Sequence, residues 1–581
     1  MKFLDIESLG IKTELDILKR DTQRKSTLLY QHKGVFFADN TRIGNEDSSE
    51  VEKKFIKLIQ KAKQDNVSLL LSPEYSCPKN IILEIINNRD IQPNNKKLWV
   101  LPGETLNKIE LKELEILDKE DVYLHFEDVY TESDKEYVDP LYYIFRGKYN
   151  DIEKLIIIIQ FKTYHMGVWS GDIERNNLIE GETIYIIKNN NNSTRLMTFI
   201  CSEAMNVSNY LTTEVKDRIL WNDMPFLILH PQINPDPSYQ NFVDFRRFIL
   251  AAEKKEIISL NWGTDTLFKN RNWYEGRGKT ARSGIFFKTN ELNTTKDRLI
   301  NNQNKGLYFL YINRSTYVYY LDGQPELFYL KNPPVHINDG EPAQRRREGP
   351  EIIKIYTFDK DTEEYLEFDL EKDKYLSKLD SRGFKNNFIL NPEVSFIEKE
   401  RLLNISIGNV NIKDGSKWYD VTLLSSFNLR ESDECNNRLT YIEDSYSVSE
   451  EIRNSYCDKI FELDANILNQ KESYPHCIKH LSDKKLSLAF AENSHENEYR
   501  YNVVNQSYEI ERATICYLGR FPPIDQVNRV YDGLQKLFDK EVPGRNTVVV
   551  FYKQGDKILH KSNTDAGNIT DFPESYSSIL R

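Results

Sequence analysis

Three residues of unlike chemistry each follow an apolar run in the first third of the chain. Glu74 follows residues 67–71, Lys162 follows 155–159, and Cys201 follows 196–200. A carboxylate, an ammonium and a thiol held together can act as base, electrophilic stabiliser and nucleophile. That set points to acyl-enzyme chemistry at a carbon–nitrogen bond. Thiolate rather than thiol attacks carbon, and a free cysteine with a pKa of about 8.5 is mostly protonated at neutral pH. A carboxylate within hydrogen-bond reach takes that proton, returns it to the departing amine, and then activates water against the thioester. An ammonium favours thiolate and holds negative charge on the tetrahedral oxygen. One such donor in a dry pocket is worth about 10²–10³ in turnover. Lysine suits this task better than arginine because its charge is a compact point beside a small carbonyl.

The three apolar runs read as buried strands, so each of these residues stands at a strand end. Strands and helices alternate around them. A first strand is expected at 34–38, followed by a helix with Val51, Phe55, Leu58 and Ile59 on one face. A helix over 81–87, strands at 98–101, 142–145, 183–187 and 226–229, and a helix over 242–255 come next. Strand 256–260 ends at Asn261, and strands 284–287 and 306–312 close this half. Such alternation predicts an α/β fold with the helices outside. Residues 1–33 read as an N-terminal extension, and the acidic stretch 104–139 as a surface insertion.

Composition narrows the class. The chain has 581 residues, which suggests two large domains. An apolar fraction of 39%, with 34 Tyr and 29 Phe, is enough to build cores. The balance of 78 basic against 90 acidic residues gives −12, so a nucleic-acid surface is not indicated. Six scattered cysteines do not make a disulfide framework and suggest a reducing compartment. The acids in the first seven residues argue against a signal peptide, and no apolar run nears the ~20 residues of a spanning helix. A cytoplasmic protein without a membrane partner is the expectation. The Pro- and Gly-rich segment 331–350, with Arg345, Arg346 and Arg347, reads as a solvated linker between domain 34–330 and domain 351–581.

The order Glu, Lys, Cys on successive strand ends resembles the carbon–nitrogen hydrolase (nitrilase) superfamily. Lesser features agree: Glu174 followed by Gly181, the strand leading into His230-Pro231, Ala251-Ala252-Glu253 ahead of the strand ending in Asn261, and Ser283-Gly284. The resemblance spans about residues 34–328. It implies an αββα sandwich of two pseudo-symmetric halves, usually paired face to face, so a homo-oligomer is expected. It also implies Cys201 as nucleophile, Glu74 as general base, and Lys162 with the backbone N–H of Ser202 as the oxyanion site. Glu174 would be a second acid that positions the lysine or the substrate. His165, Glu203, His230 and Asn261 are candidates to line the substrate pocket; His165 and His230 read at least as well as hydrogen-bonded structural histidines, and Glu203 equally as an anchor of the turn after Cys201. Ser202 stands where an aromatic residue is common after the nucleophile, which leaves the branch of the superfamily open. No cofactor is expected.

Residues 351–581 carry no catalytic motif. A hairpin is expected at 353–358 and 365–368, and a helix from Ser447 with Ile452, Tyr456, Ile460, Leu463 and Ile467 on one face. Strand 513–517, a helix with Val527, Val530, Tyr531, Leu534 and Leu537, and strand 547–551 make a βαβ unit with parallel pairing. Cys477 with His476 and His480 lacks the close pairs of a structural zinc site. The leading expectation is a thiol-dependent hydrolase of a small amide or nitrile, followed by a second α/β (or α+β) domain for recognition or assembly with a protein partner. The alternative is an inactive nitrilase-like sensor or scaffold, by analogy within a multi-protein antiviral assembly.

Overall fold

The computed structural model describes residues 1–19, 25–116, 121–129, 134–166, 172–234, 240–270, 274–277, 282–288, 292–293, 307–312, 316–332, 347–348, 350–368, 374–394, 396–409, 423–424, 447–490, 500–505, 511–538 and 543–563. Helices and strands are mixed throughout, as an α/β reading requires. The chain divides into two compact units, residues 1–370 with 428–432, and residues 371–427 with 433–581. Among the described residues, no helix is long and apolar enough to cross a membrane.

Two sheets organise the first unit. The larger runs from edge to edge through Glu364–Glu367, Glu351–Asp359, Leu327–Asn332, Lys25–Tyr30, Leu69–Leu71, Leu98–Pro102, Pro140–Tyr149, Ile152–Phe161 and Val122–His125. The second begins Arg195–Thr198, Phe226–Pro231, Lys255–Leu260, Gly284–Lys288, Thr316–Leu321 and Leu307–Ile312. Helix Ser48–Gln64 starts where the Asp47 carboxylate accepts the N–H groups of Ser49 and Glu50. The expected stripe of Val51, Phe55, Leu58 and Ile59 is buried, against a core that includes Leu70, Trp99, Ile144 and Ile157. The helix expected over 242–255 stops at Leu250, and Lys255 already belongs to the next strand.

Three boundaries differ from those read in the sequence. Residues 1–33 are not an extension, because Lys25–Tyr30 lies inside the larger sheet, pairing with Leu69–Leu71 and Leu327–Asn332. Its Leu28, Leu29 and Tyr30 are fully buried. The unit also does not end at 330. Strand Leu327–Asn332 pairs with Glu351–Asp359, which pairs with Glu364–Glu367, so the expected hairpin completes the first unit's sheet. Tyr356 and Tyr365 join the core of helix Ser48–Gln64. Most of the linker, including Arg345 and Arg346, lies outside the described residues. Segment 104–139 is not a surface insertion either: Leu106, Leu111, Leu114, Val122 and Val138 pack into the same core, and Asp139 is wholly buried.

In the second unit, strands Leu486–Leu488, Val503–Asn505, Arg512–Arg520, Val548–Gln554 and Lys557–Ser562 follow one another in sheet order. Arg512–Arg520 and Val548–Gln554 are parallel and joined through helix Ile524–Gln535, the βαβ unit expected. Ile460, Leu463 and Ile467, expected on one face of the helix from Ser447, lie in this unit's core. The polar tail after Gly567 falls outside the described residues.

Candidate active site

Strand direction gathers the three reactive groups. Leu69–Leu71 is parallel to Leu98–Pro102, which is antiparallel to Pro140–Tyr149, itself antiparallel to Ile152–Phe161. Glu74 and Lys162 therefore leave the sheet at the same edge. The Lys162 ammonium donates to Glu74 Oε1 at 2.7 Å and to the two oxygens of Glu174 at 3.0 and 2.9 Å. None of these side chains is more than 1% exposed. The second oxygen of Glu74 accepts the Ile233 N–H at 2.9 Å, and the Cys201 thiol, which donates to the Ile233 carbonyl at 3.9 Å, lies beside the same carboxyl. Trp262 Nε1 donates to the Glu74 carbonyl at 2.7 Å, fixing the loop that carries the acid. The sequence set Glu74, Lys162, Glu174 and Cys201 is thus one cluster.

Cys201 is 2% exposed and opens a 3₁₀ turn, Cys201–Asn206, after strand Arg195–Thr198. Its φ of +40° is in the left-handed region that side chains disfavour, as is the +59° of Tyr75 beside Glu74. Such backbone costs about 1–3 kcal/mol and persists where surrounding contacts impose it. His230 imposes it here. Its Nε2 donates to the Cys201 carbonyl at 3.1 Å while its Nδ1 accepts from the Ser259 hydroxyl at 3.0 Å. Burial pushes His230 down to about 3, so the ring is neutral and this pattern of one donor and one acceptor is fixed.

Glu203 grips the same turn. Its carboxyl accepts the Ile200 N–H and the Thr163 N–H, both at 2.6 Å, and the Thr163 hydroxyl at 2.8 Å. It ties the residue after Lys162 to the residue before Cys201, and burial pushes its pKa up to about 7. Asn261 spans another junction, accepting from the Asn234 N–H at 3.0 Å and donating to the Asn234 carbonyl at 2.9 Å. His165 is part-exposed, with its Nδ1 2.6 Å from Glu180. These contacts make Glu203, His230 and Asn261 anchors of the loops around the cluster. The Ser202 hydroxyl donates to the Tyr164 carbonyl at 2.7 Å, while its N–H stands in the first turn of the 3₁₀ segment.

Charge around the cluster is unequal. Burial would pull Lys162 down, but Glu174 and then Glu74 hold it well above the ordinary lysine value, so it is an ammonium. Burial raises Glu74 despite Lys162. Burial and then Glu74 raise Cys201 well above an ordinary thiol, outweighing Lys162. The ammonium therefore does not leave a standing thiolate, contrary to the simplest sequence expectation. Its charge is already met by two carboxylates, and the resting sulfur keeps its proton beside Glu74.

Sequence reasoning missed Asp139, Tyr75 and Trp262. Asp139 Oδ2 is 3.7 Å from the Lys162 ammonium and fully buried. The signal for it lay in Asn150 and Asp151, both with positive φ, which make a two-residue turn between Pro140–Tyr149 and Ile152–Phe161. Counting back from that turn pairs Pro140 with Phe161 and sets Asp139 against Lys162, whose N–H donates to the Asp139 carbonyl at 3.0 Å. Tyr75 donates its hydroxyl to Glu174 Oε1 at 2.8 Å, and the Lys162 ammonium sits 5.4 Å from its ring centre.

No protein-family model matches the chain, and no curated protein does. Solved structures do, over its N-terminal half. An amidase from Nesterenkonia sp. matches at 10% identity and a TM-score of 0.26, over 46% of this chain and 84% of its own. A variant of that amidase from strain AN1, with the acetamide moiety of fluoroacetamide on its active-site cysteine, matches at 10% and 0.24, covering 46% and 84%. The glutamine-dependent NAD+ synthetase of Acinetobacter baumannii matches at 9% and 0.28, over 66% of this chain and 53% of its own. The amidase is a nitrilase-superfamily protein. This is the superfamily that the motif order resembles. Likeness at this level assigns no role to any residue, and the roles rest on the distances above.

Proposed function

We propose that the first unit is a thiol-dependent hydrolase of non-peptide carbon–nitrogen bonds, with a small amide or nitrile as substrate. One observation carries this reading: the Cys201 thiol, the Glu74 carboxyl and the Lys162 ammonium meet in a single water-excluded cluster. With an amide bound, Glu74 takes the Cys201 proton as sulfur attacks the carbonyl carbon, and the carbonyl π pair moves to oxygen. The ammonium of Lys162 and the Ser202 N–H are the donors for that oxygen. Collapse of the intermediate breaks the carbon–nitrogen bond, and the nitrogen leaves with the proton held by Glu74. Glu74, again a carboxylate, deprotonates water against the thioester, which releases the acid and restores the thiol. A Glu74 raised by burial suits this cycle, because a carboxylate made more basic takes the thiol proton more readily. Glu174, filled by Lys162, Tyr75 and the Met166 N–H, positions the ammonium.

In the same reading the two sheets form the inner layers of an αββα sandwich, the protein pairs with itself, and the second unit serves recognition or assembly. The test is incubation with a panel of small amides and nitriles, reading released ammonia and the intact mass of the protein. Turnover with a transient acyl adduct on Cys201 is expected, and Cys201→Ala should abolish both while keeping the wild-type circular dichroism. An adduct that survives in Cys201→Ala overturns the assignment.

A further inference from the structure

Three carboxyl groups crowd one ammonium. Glu74, Glu174 and Asp139 lie 2.7, 2.9 and 3.7 Å from Lys162 Nζ, and none is measurably open to solvent. If all three were ionised the cluster would carry a net charge of −2, in surroundings that penalise even one unpaired charge. Hydrogen bonding decides which carboxyl keeps a proton. Glu174 accepts from Lys162, from the Tyr75 hydroxyl and from the Met166 N–H. Glu74 accepts from Lys162 and from the Ile233 N–H. Neither oxygen of Asp139 has a hydrogen-bond partner, and 3.7 Å from the ammonium is beyond hydrogen-bond length. The Tyr75 hydroxyl, which also faces Asp139, has its single proton committed to Glu174.

Resting on the hydrolase reading, we propose that Asp139 is a positioning residue held as a neutral carboxylic acid, so that the positive charge of Lys162 is shared by two carboxylates and not three. The charges facing it from every neighbouring element agree. Glu74, Glu174, Tyr75, Tyr137 and Tyr142 are anionic or neutral, and among the described residues Lys162 is the one cation facing it. Burial first, then Glu74 and Glu174, raise the Asp139 carboxyl well above its ordinary value, against the pull of Lys162. With Asp139 neutral the cluster carries −1 at rest. It still carries −1 when the Cys201 proton has moved to Glu74 and the oxyanion has formed. No charge is created in the dry site during the chemistry. Ionising Asp139 would add a second net negative charge, oppose thiolate formation and divide the attraction that the oxyanion needs.

The full-length protein labelled with carboxyl-¹³C aspartate tests this by infrared spectroscopy at pH 7. A protonated-carboxyl carbonyl band that shifts with the label is expected, as is its disappearance in Asp139→Asn. Asp464, whose carboxyl is raised by burial in the second unit, is the control, so Asp464→Asn should retain a band. A labelled protein without such a band overturns the proposal, as does loss of the whole band in Asp464→Asn, which stands even if Asp139→Asn fails to fold. The second readout is the rate of Cys201 alkylation by iodoacetamide against pH, followed by peptide mass. Asp139→Asn should match wild type within about twofold at neutral pH, since a neutral group replaces a neutral group. A profile displaced to lower pH by about a unit or more at all pH values means that a carboxylate was removed, and overturns the proposal. Neither readout needs turnover. Failure of wild type to hydrolyse amides would therefore sink the hydrolase reading while leaving the charge state of Asp139 measured.

Discussion

Replacing Lys162 by methionine keeps the length of the side chain and removes the cation at the centre of a buried cluster. The ammonium meets Glu74 at 2.7 Å and Glu174 at 2.9 Å with no solvent access. Breaking a buried pair by deleting one partner costs about 3–5 kcal/mol, because the other charge is left unmatched. The cost should depend on pH in a definite direction. Glu74 already has a carboxyl raised by burial, and Lys162 is the leading influence that lowers it. Without the lysine its folded-state pKa rises further above the unfolded value of about 4. A raised folded pKa gives stability that is complete below the unfolded pKa and is lost as pH rises toward the folded one. The loss is about 1.4 kcal/mol per pH unit for one carboxyl. Lys162→Met should therefore be about 3–5 kcal/mol less stable than wild type at pH 7, with part of that deficit, at most about 2–3 kcal/mol because wild-type Glu74 is itself raised, recovered at pH 5. Urea unfolding followed by tryptophan fluorescence reads the first unit through buried Trp99, Trp221 and Trp262. A deficit equal at the two pH values, or absent at pH 7, refutes the claim that Lys162 neutralises buried carboxylates.

Other perturbations probe the loops that hold the site. His230→Phe keeps a buried ring but loses the donor to the Cys201 carbonyl, so Cys201 alkylation by iodoacetamide should slow about tenfold or more, while thermal stability falls by about 1–3 kcal/mol; an unchanged rate would mean that the left-handed turn stands without the imidazole. Glu203→Ala strands the N–H groups of Ile200 and Thr163, and a loss of about 2–5 kcal/mol in denaturant unfolding is expected at about 1–3 kcal/mol per stranded group. Its sign with pH also follows: Glu203 rises to about 7 in the fold, so wild type loses stability between about pH 4 and 7 through this group, and the variant should show a flatter profile over that window. Asp47→Ala removes the cap of helix Ser48–Gln64 and should lower stability by about 1 kcal/mol with Cys201 reactivity unchanged, which separates general weakening of the fold from damage to the site.

Local chemistry and periodicity were enough to read much of this chain. Helix Ser48–Gln64 was legible because Val51, Phe55, Leu58 and Ile59 recur at helical spacing, and the buried strands because runs such as 155–159 are continuously apolar. Glu74, Lys162, Glu174 and Cys201 were legible as a set because each is a reactive residue at a strand end or just after one. Segment 104–139 was misread because its acids are counted easily while its leucines and valines are few and irregularly spaced; five of these apolar residues nevertheless enter the core. The second half's hairpin was given to the wrong unit, since a strand's own sequence does not say which sheet edge will accept its N–H and C=O groups.

Which groups can do chemistry, and which segments are strand or helix, follow from side-chain type and from spacing within about ten residues, so both could be read along the chain. Tertiary structure alone decided which polar residues face a reactive atom and which face the backbone. Glu203, His230 and Asn261 are chemically able to bind a substrate, and in the fold they bond to Thr163, the Cys201 carbonyl and Asn234. Asp139 carries no motif, yet hairpin register delivers it to the Lys162 ammonium. The physical reason is that protonation and hydrogen-bond partners depend on distances of a few ångströms between residues far apart in the chain, and only the folded sheets set those distances.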